Sequence, residues 1–243
     1  MSNRTAPRLY VPAPLAAGLT LTLPPGPSRH AQVLRLQPGD AVTLFNGDGG
    51  EWAARIVRMG RSDVDAQVLQ HDPADRELPV AVTLAVGMPA NDRMDWLVEK
   101  ATELGVATIQ PLVCERSVLR LAGERAGKKV AHWSGVAISA SEQCGRTRVP
   151  VIAPVQPLRA WCEALPAAAD DELRAVLSLQ DAQPLAALPV GARAVFLSGP
   201  EGGLAPAEEA LARTAGFRAA SLGPRGLRAE TAPLAALALL GLR

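Results

Sequence analysis

Apolar and polar positions divide the chain into two parts with different periodicities. In the first part, short apolar stretches are separated by glycine turns, and one helix is predicted over residues 28–36 with Ser28 as a possible N-cap. The predicted strands cover residues 8–11, 19–23, 41–45, 51–57 and 64–69. Strands this short, closed by tight turns, predict a small β-barrel over residues 1–70.

From residue 80 the pattern changes to alternating strands and helices. Residues 80–86 form one apolar run, typical of a strand that is buried on both faces. Further strands are predicted at residues 108–114, 175–179, 194–198 and 218–222, and helices at residues 92–104, 129–144 and around Trp161. Repeated β-α-β units predict an α/β domain with a parallel sheet over residues 80–243. The charged, proline-flanked residues 71–79 are interpreted as the linker.

Two of the predicted strands run directly into glycine-proline turns. The first turn is S-G-P-E-G-G at residues 198–203, and the second is L-G-P-R-G at residues 222–226. Glycine backbone has no Cβ and can approach a ligand closely. Ligands of open α/β sheets bind outside the carboxyl ends of strands, so two such turns at neighbouring strand ends predict a small-molecule site. Neither turn is a P-loop or a G-x-G-x-x-G fingerprint, which argues against a kinase or a dehydrogenase.

Composition narrows the possible classes of function. With 48% hydrophobic and 20% charged residues, the chain has the composition of a globular protein. The net charge of +1 gives no global basic field, so any RNA contact must come from local arginine clusters. No apolar run is long enough to span a membrane, and the N-terminus lacks the apolar region of a secretory signal. We therefore expect a cytoplasmic protein without membrane contact.

Metal binding and disulfide bonding are not expected from the histidines and cysteines. His30, His71 and His132 have no neighbouring ligands at the spacing of a metal site. The three cysteines, Cys114, Cys144 and Cys162, are scattered and odd in number, which is typical of reduced thiols.

Three further motifs are each compatible with an ordinary helix end. They are E-K-A-T-E-L-G-V at residues 99–106, E-Q-C-G-R at residues 142–146 and R-G-L-R-A-E-T-A at residues 225–232. Lys100 fits a solvated charge, Cys144 a buried thiol, and Glu230 with Thr231 a helix cap. Arg228 fits a structural role less well, because it lies between a glycine-rich turn and an apolar helix.

Taken together and in order, the motifs resemble the RsmE family of 16S ribosomal RNA uridine N3-methyltransferases, in the SPOUT superfamily. Besides the motifs above, the matching segments are R-L-Y-V-P (8–12), S-R-H-x-x-V-L-R (28–35), P-G-D (38–40), L-F-N-G-D-G (44–49) and the longer forms S-E-Q-C-G-R-x-x-V-P (141–150) and L-G-P-R-G-L-R-A-E-T-A (222–232). The resemblance covers nearly the whole chain, and the last two turn motifs are highly specific in combination.

The resemblance implies a fold and partners. It implies an N-terminal PUA-like RNA-binding β-barrel and a C-terminal SPOUT methyltransferase domain with a deep trefoil knot. It also implies a homodimer in which each site lies near the partner subunit, and S-adenosyl-L-methionine (AdoMet) as methyl donor. The implied substrate is one uridine (U1498 in the family) of 16S rRNA within the assembled small ribosomal subunit. Methyl transfer to another rRNA position and an RNA-binding module without catalysis are the alternatives.

The two turns, with residues 177–178 as the third side of a pocket, identify candidate cofactor contacts. Their glycines expose backbone groups, and Leu197, Leu222 and Leu227 supply apolar walls. The full predicted set is Leu177, Ser178, Leu197, Ser198, Gly199, Pro200, Glu201, Gly202, Gly203, Ser221, Leu222, Gly223, Arg225, Leu227, Arg228 and Thr231.

The implied reaction assigns roles to a few charged residues. Uracil N3 attacks best as its proton leaves, and the base must first be unpaired. Arg228 and, across the dimer, Arg8 are candidates to stabilise the negative charge on the ring. Glu201 or Glu230 would accept the proton or only hold an arginine or loop. Methylation at uracil C5, which needs a thiol such as Cys144, is the less favoured variant.

Arginines of the first domain are predicted to bind RNA phosphates, which positions RNA without reading its sequence. The candidates are Arg8, Arg29, Arg35, Arg55 and Arg58.

Three positions depart from the family pattern. Gly226 replaces a branched aliphatic residue and is expected to loosen the cofactor loop. Ala229 replaces threonine. Pro233 replaces alanine, and it is tolerated only in the first turn of a helix.

Overall fold

The computed structural model describes residues 6–90 and 92–241 of the chain. It divides into two compact units, of which the first comprises Met1–Glu77 with Ser141–Val149 and the second Leu78–Ala140 with Pro150–Arg243. Residues 141–149 fall within the second domain predicted from the sequence, which covers residues 80–243. They group with the first unit because its side chains bind their backbone: Arg76 donates to the carbonyl of Gly145 at 2.9 Å, and Arg8 to that of Arg146 at 2.8 Å.

The first unit is built on a five-stranded mixed sheet. Its elements are β1 (Arg8–Tyr10), β2 (Thr20–Thr22), α1 (Pro25–Val33), β3 (Ala41–Phe45), β4 (Glu51–Met59) and β5 (Val64–Asp72). The strand order is β1-β3-β4-β5-β2, with β1 parallel to β3 and the other pairs antiparallel. Alternate residues such as Val64, Ala66 and Val68 are fully buried, as a sheet with one buried face requires. Strand pairing of the described residues runs from β1 to β2 without closing.

Helix α1 begins earlier than the sequence predicts. Its N-cap is Pro24 and its first residue is Pro25, so the prediction of Ser28 as N-cap is wrong. Ser28 lies inside the helix, buried, and its hydroxyl donates to the Leu23 carbonyl at 2.9 Å. Proline suits the first helical position because its missing N–H would have no helical partner there.

The second unit contains a parallel sheet that alternates with helices. Its elements are β6 (Ala81–Gly87), α2 (Asp92–Glu103), β7 (Thr108–Val113), α3 (Gly123–Cys144, whose last four residues group with the first unit), β8 (Val151–Ile152), β9 (Gln156–Pro157), α4 (Leu158–Ala164), β10 (Glu172–Leu177), β11 (Gln183–Pro184), β12 (Arg193–Ser198), α5 (Pro206–Thr214), β13 (Arg218–Ser221) and α6 (Thr231–Gly241). The strand order is β11-β13-β10-β12-β6-β7-β8, with β9 also paired to β7. All of these pairs are parallel, which confirms the predicted sheet type.

The centre of this sheet is fully covered. Leu84, Ala85 and Val86 of β6 have no exposed surface, nor do Phe196 and Leu197 of β12. The continuous apolar runs read from the sequence are therefore strands buried on both faces, as predicted.

One prediction about the order of strands is wrong. β12 and β13, which lead into the two glycine-proline turns, are not neighbours, because β10 lies between them and pairs with both. Helix α3 also starts six residues before its predicted start at residue 129. Its first turns, G-E-R-A-G-K, carry no apolar stripe that a periodicity could detect.

Within the described residues, no helix has the length and apolar character needed to cross a membrane.

Candidate active site

A cleft of about 640 Å³ opens at the carboxyl ends of β10, β12 and β13. The walls come mainly from the three connections that follow these strands, and β10 supplies the middle one. The two glycine-proline turns and the predicted third side at residues 177–178 therefore line one cleft, and the connection after β10 lies between the two turns.

The turn after β12 is closed by its own backbone. The N–H of Gly203 donates to the carbonyl of Pro200 at 2.8 Å, and Gly203 has a φ of 69°. A Cβ on Gly199 would lie 2.7 Å from the backbone nitrogen of Leu204, so this position requires glycine. The turn thus presents main chain, with little side-chain cover, to the cleft.

Glu201 fixes this turn to the connection between β6 and α2. Its Oε1 accepts the backbone N–H of Ala90 at 2.9 Å and lies 3.6 Å from Nη1 of Arg93. Because Arg93 also lines the cleft, the β6–α2 connection contributes to the site.

The turn after β13 leads into α6. Six of its residues line the cleft, and four of these, residues 225–228, are exposed. The six are Leu222, Arg225, Gly226, Leu227, Arg228 and Ala229. The carbonyl of Arg228 accepts the N–H groups of Thr231 and Ala232 at 2.9 and 3.0 Å, which begins the helix. Pro233 is the third residue of α6, so it falls in the first turn, where its missing N–H costs nothing.

The connection after β10 forms the middle wall. The N–H of Ser178 donates to the carbonyl of Ala220 at 3.0 Å, which continues the pairing with β13. The hydroxyl of Ser178 accepts the N–H of Gln180 at 3.1 Å and lies 3.4 Å from Oε1 of Glu209 on α5. Helix α5 is thereby brought to the edge of the cleft.

Ser198 carries an unpaired polar atom into the cleft. Its side chain lines the cleft and is 3% exposed, and its hydroxyl has no hydrogen-bond partner among the described residues. A buried hydroxyl without a partner is unfavourable, so this position fits a ligand with a polar atom.

Comparison with known proteins identifies the family. Residues 76–241 match the family model described as an RNA methyltransferase domain, and residues 28–69 match the RNA methyltransferase PUA domain. Ribosomal RNA small subunit methyltransferase E of Bacillus subtilis is 33% identical over 219 residues, which cover 86% of this chain and 84% of the relative. This chain belongs to the ribosomal RNA small subunit methyltransferase E family.

Solved structures agree with this assignment. The Neisseria gonorrhoeae family member, crystallised with S-adenosyl methionine, has a TM-score of 0.90 and 41% identity, with 96% of each chain covered. A Legionella pneumophila protein solved with the bound cofactor SAM has a TM-score of 0.90 and 34% identity, over 98% of this chain and 97% of that one.

Most of the predicted cofactor residues of this RsmE family chain line the cleft. They are Leu177, Ser178, Ser198, Gly199, Pro200, Glu201, Gly203, Leu222, Arg225, Leu227 and Arg228. Those outside its lining are Leu197, Gly202, Ser221, Gly223 and Thr231. Leu197 is fully buried, the carbonyl of Gly202 accepts from Arg116, and the Ser221 hydroxyl bonds within its own turn to Gly223.

Glu230 also lies outside the cleft lining. It is 7% exposed, and its Oε2 has no hydrogen-bond partner in the part of the chain that the structure describes.

Several cleft residues are not among those predicted from the sequence, namely Arg93, Leu179, Gln180, Leu204, Glu209, Ala220, Gly226, Ala229 and Ala232. Three of them, Gly226, Ala229 and Ala232, belong to the motif at residues 222–232. Leu179 and Gln180 directly follow residues 177–178, which are in the predicted set. Arg93 and Glu209 belong to helices α2 and α5, and no local pattern marked them. Only the packing of these helices against the sheet could have revealed them.

Two thiols in the second unit are poor nucleophiles. Burial raises the pKa of Cys114 to about 12, and the charge of Glu208 adds to the effect. Burial likewise raises the pKa of Cys162 to about 11, with Glu163 as the next contribution. The thiolate is the reactive form, so both are unreactive near neutral pH. Cys144 lies in the segment grouped with the first unit and is not a cleft residue.

The predicted RNA-binding arginines of the first unit differ in their surroundings. Arg8 is 12% exposed and forms an ion pair with Glu51, and Arg58 pairs with both Asp63 and Asp65. Arg55 donates twice to Oε1 of Gln67, at 2.7 and 3.0 Å. Two others, Arg29 and Arg35, are exposed, and their side chains have no hydrogen-bond or ion-pair partner among the described residues.

Proposed function

We propose that this protein transfers the methyl group of AdoMet to N3 of a uridine in 16S rRNA of the small ribosomal subunit. The main support for this proposal is the cleft that three strand-end connections line, with the unpaired hydroxyl of Ser198 in its wall. The Neisseria gonorrhoeae relative crystallised with S-adenosyl methionine supports the choice of cofactor.

The residues present fit AdoMet. A Cβ built on Gly203 or Gly226 would meet no atom within 4 Å, so both positions leave space in the cleft. The cleft volume lies within the range of about 300–1,000 Å³ for small-molecule sites. The backbone of the turns after β12 and β13 would hold adenine and ribose, against the apolar side chains of Leu177, Leu222 and Leu227. AdoMet supplies an activated methyl group, so positioning and electrostatics are left to the protein.

Arg228 is assigned the electrostatic role. It is exposed and lines the cleft, and it lies in the connection between β13 and α6, three residues before the helix begins. Its guanidinium would stabilise the negative charge that develops on uracil as the N3 proton leaves. Arg8, the other candidate, is paired with Glu51 and the Arg146 carbonyl and would have to leave both to reach a partner's cleft.

Neither candidate proton acceptor is an unengaged carboxylate of the cleft. Glu201 lines the cleft but is held by Ala90 and Arg93, whereas Glu230 is buried outside the lining. We assign Glu201 a positioning role, which its glutamine variant tests. Attack by N3 requires no enzyme nucleophile, and the raised pKa values of Cys114 and Cys162 disfavour methylation at C5 by these thiols.

The first unit is proposed to hold the RNA. Its match to the RNA methyltransferase PUA domain supports this role, and Arg29 and Arg35, which are exposed and without a side-chain partner among the described residues, are assigned to phosphates. A closed PUA-like barrel, a trefoil knot in the second unit, a homodimer, an assembled small-subunit substrate and a cytoplasmic location complete the proposal.

Labelled AdoMet and small ribosomal subunits from cells that lack this protein provide the test. The RNA is digested to nucleosides, and the labelled one is identified by mass and retention time. N3-methyluridine is expected. Label on another nucleoside would retain the methyltransferase and change its target. Neither label nor AdoMet binding would leave an RNA-binding module without catalysis as the better account.

A further inference from the structure

A second cleft, of about 400 Å³, adjoins the proposed cofactor cleft. It is lined by Ala90, Asp92, Arg93, Val118 and Glu201. Two of these residues, Arg93 and Glu201, also line the larger cleft. The Arg93–Glu201 ion pair is therefore a wall that the two clefts share.

Sheet order explains why the clefts adjoin. The larger cleft lies beyond β13, β10 and β12, whereas the smaller one is lined from the connections that follow β12, β6 and β7. These strands are consecutive in the sheet and parallel, so their carboxyl ends lie along one edge. Two ligands bound at this edge would be neighbours.

The walls of the smaller cleft are fixed to one another. Arg116, in the β7–α3 connection with Val118, donates to the carbonyl of Gly202 at 3.0 Å. In the same connection, the N–H of Glu115 donates to Oε1 of Glu208 on α5 at 2.8 Å. Together with the bond from Ala90 to Glu201, these contacts join the three connections that form the cleft.

The chemistry of the smaller cleft suits a nucleotide. The side chain of Arg93 is 44% exposed, and a guanidinium is well suited to a phosphate. Val118 is 76% exposed, so its apolar side chain is available to a ligand in the cleft. Outside the cleft lining, Trp96 is 46% exposed and lies three residues after Arg93 on the same side of α2. Exposed apolar and aromatic surface beside a cation is the combination that single-stranded nucleic acid requires.

We propose that the smaller cleft receives the acceptor nucleotide, with Arg93 on its phosphate and Val118 against its ribose and base. This inference rests on the proposed function. Methyl transfer needs the reacting atoms about 3–3.5 Å apart, so the acceptor must enter a space that is continuous with the donor cleft. The two clefts share only the lining residues Arg93 and Glu201, so a movement of these two side chains would open the acceptor space to the donor.

The test compares wild type, Arg93→Ala, Arg93→Lys and a matched control, Arg159→Ala. Arg159 is also an exposed arginine with a loose ion pair, 3.5 Å from Glu163, but it lies on α4 away from both clefts. AdoMet affinity is measured without RNA. The affinity for unmethylated small subunits is measured over a series of salt concentrations. The KM for the subunits is measured in the methylation reaction.

We expect Arg93→Ala to raise KM for the subunits at least 10-fold and to leave the AdoMet Kd within threefold. The slope of log affinity against log salt should fall by about 1, because one phosphate contact is lost. Arg93→Lys should keep the slope, because a lysine still neutralises a phosphate. Arg159→Ala should change none of these quantities.

Several results would overturn the inference. An unchanged KM and salt slope in Arg93→Ala would exclude the phosphate contact. A rise in the AdoMet Kd of Arg93→Ala with unchanged binding to the subunits would place Arg93 in donor binding. If Arg93→Ala dissociates self-associated protein and keeps its RNA affinity, the cleft is a contact between subunits. If wild type binds the subunits but transfers no methyl group, the proposed function fails, and the salt slope still reports separately on Arg93.

Discussion

Oε1 of Glu201 accepts the backbone N–H of Ala90 at 2.9 Å, which joins two connections that are more than 100 residues apart in sequence. The same oxygen lies 3.6 Å from Nη1 of Arg93. From the sequence, Glu201 is a candidate either to accept the proton or to hold an arginine or loop. In the structure its carboxylate holds the turn that lines the proposed cofactor cleft.

The two roles of Glu201 make different predictions. Glu201→Ala should raise the AdoMet Kd about 10-fold, or about 1.4 kcal/mol, because the turn loses its hydrogen bond to Ala90. Glu201→Gln keeps an acceptor oxygen and loses only an ion pair between half-exposed groups, so its Kd should stay within about threefold of wild type. Its kcat should also be near that of wild type. A loss of kcat of about 100-fold or more in Glu201→Gln would instead identify a proton acceptor.

Arg228→Ala should remove most of the methyl transfer. Loss of one group that stabilises developing negative charge costs about 10²–10³ in kcat. Because the side chain is exposed, the melting temperature should change little. Single-turnover methylation of small subunits with saturating AdoMet measures the chemical step.

The control for Arg228 is Arg193→Ala, which removes an exposed arginine at the opposite end of β12, where it pairs with Asp171 at 2.7 Å. It should retain activity. Near-wild-type turnover in Arg228→Ala would end the role assigned to this guanidinium.

Ser198→Ala should weaken AdoMet binding without destabilising the protein. The hydroxyl has no partner among the described residues, so its removal costs the folded protein no hydrogen bond. A hydrogen bond to the ligand contributes about 0.5–1.5 kcal/mol, which corresponds to a Kd increase of about 2- to 13-fold. Calorimetric titration and thermal unfolding measure the two effects. An unchanged Kd together with a lower melting temperature would show that the hydroxyl serves the fold alone.

Glu51→Gln should destabilise the first unit in a pH-dependent way. Burial raises the pKa of Glu51, but the hydrogen bonds and positive charges of Arg76 and Arg8 together lower it by more. The pKa of Glu51 therefore lies below its ordinary value of 4.5. A carboxyl group with a lowered pKa in the folded state stabilises the protein above pH 4.5, and this contribution is lost as the pH falls through the folded-state pKa. We expect a loss of about 2 kcal/mol at pH 7, since the pair is largely but not fully buried.

Urea unfolding at pH 7 and at several values below 4.5 measures this effect. The difference between wild type and Glu51→Gln should shrink as the pH falls. Glu163→Gln is the matched control, because its ion pair with Arg159 is exposed and should contribute less than about 0.5 kcal/mol. A difference that stays constant from pH 7 to pH 3 would show that the charge of Glu51 is not its source.

The sequence by itself determined the local features of this protein. Apolar runs identified the buried strands, and the glycines at residues 199 and 203 marked backbone that lines the cleft. Pro233 was expected to be tolerated only in the first turn of a helix, and it is the third residue of α6. These features could be read because turn geometry, helix starts and strand burial depend on residues that are close together in the chain.

Only the tertiary structure decided which distant segments meet. It placed β10 between the two glycine-proline strands, brought Arg93 and Glu209 to the cleft, and grouped residues 141–149 with the first unit. It also paired Arg8 with Glu51, which lies 43 residues away. Such contacts depend on how whole helices and strands pack, and one hydrophobic pattern is compatible with many packings. The sequence therefore predicts which residues can form a site, and packing selects those that do.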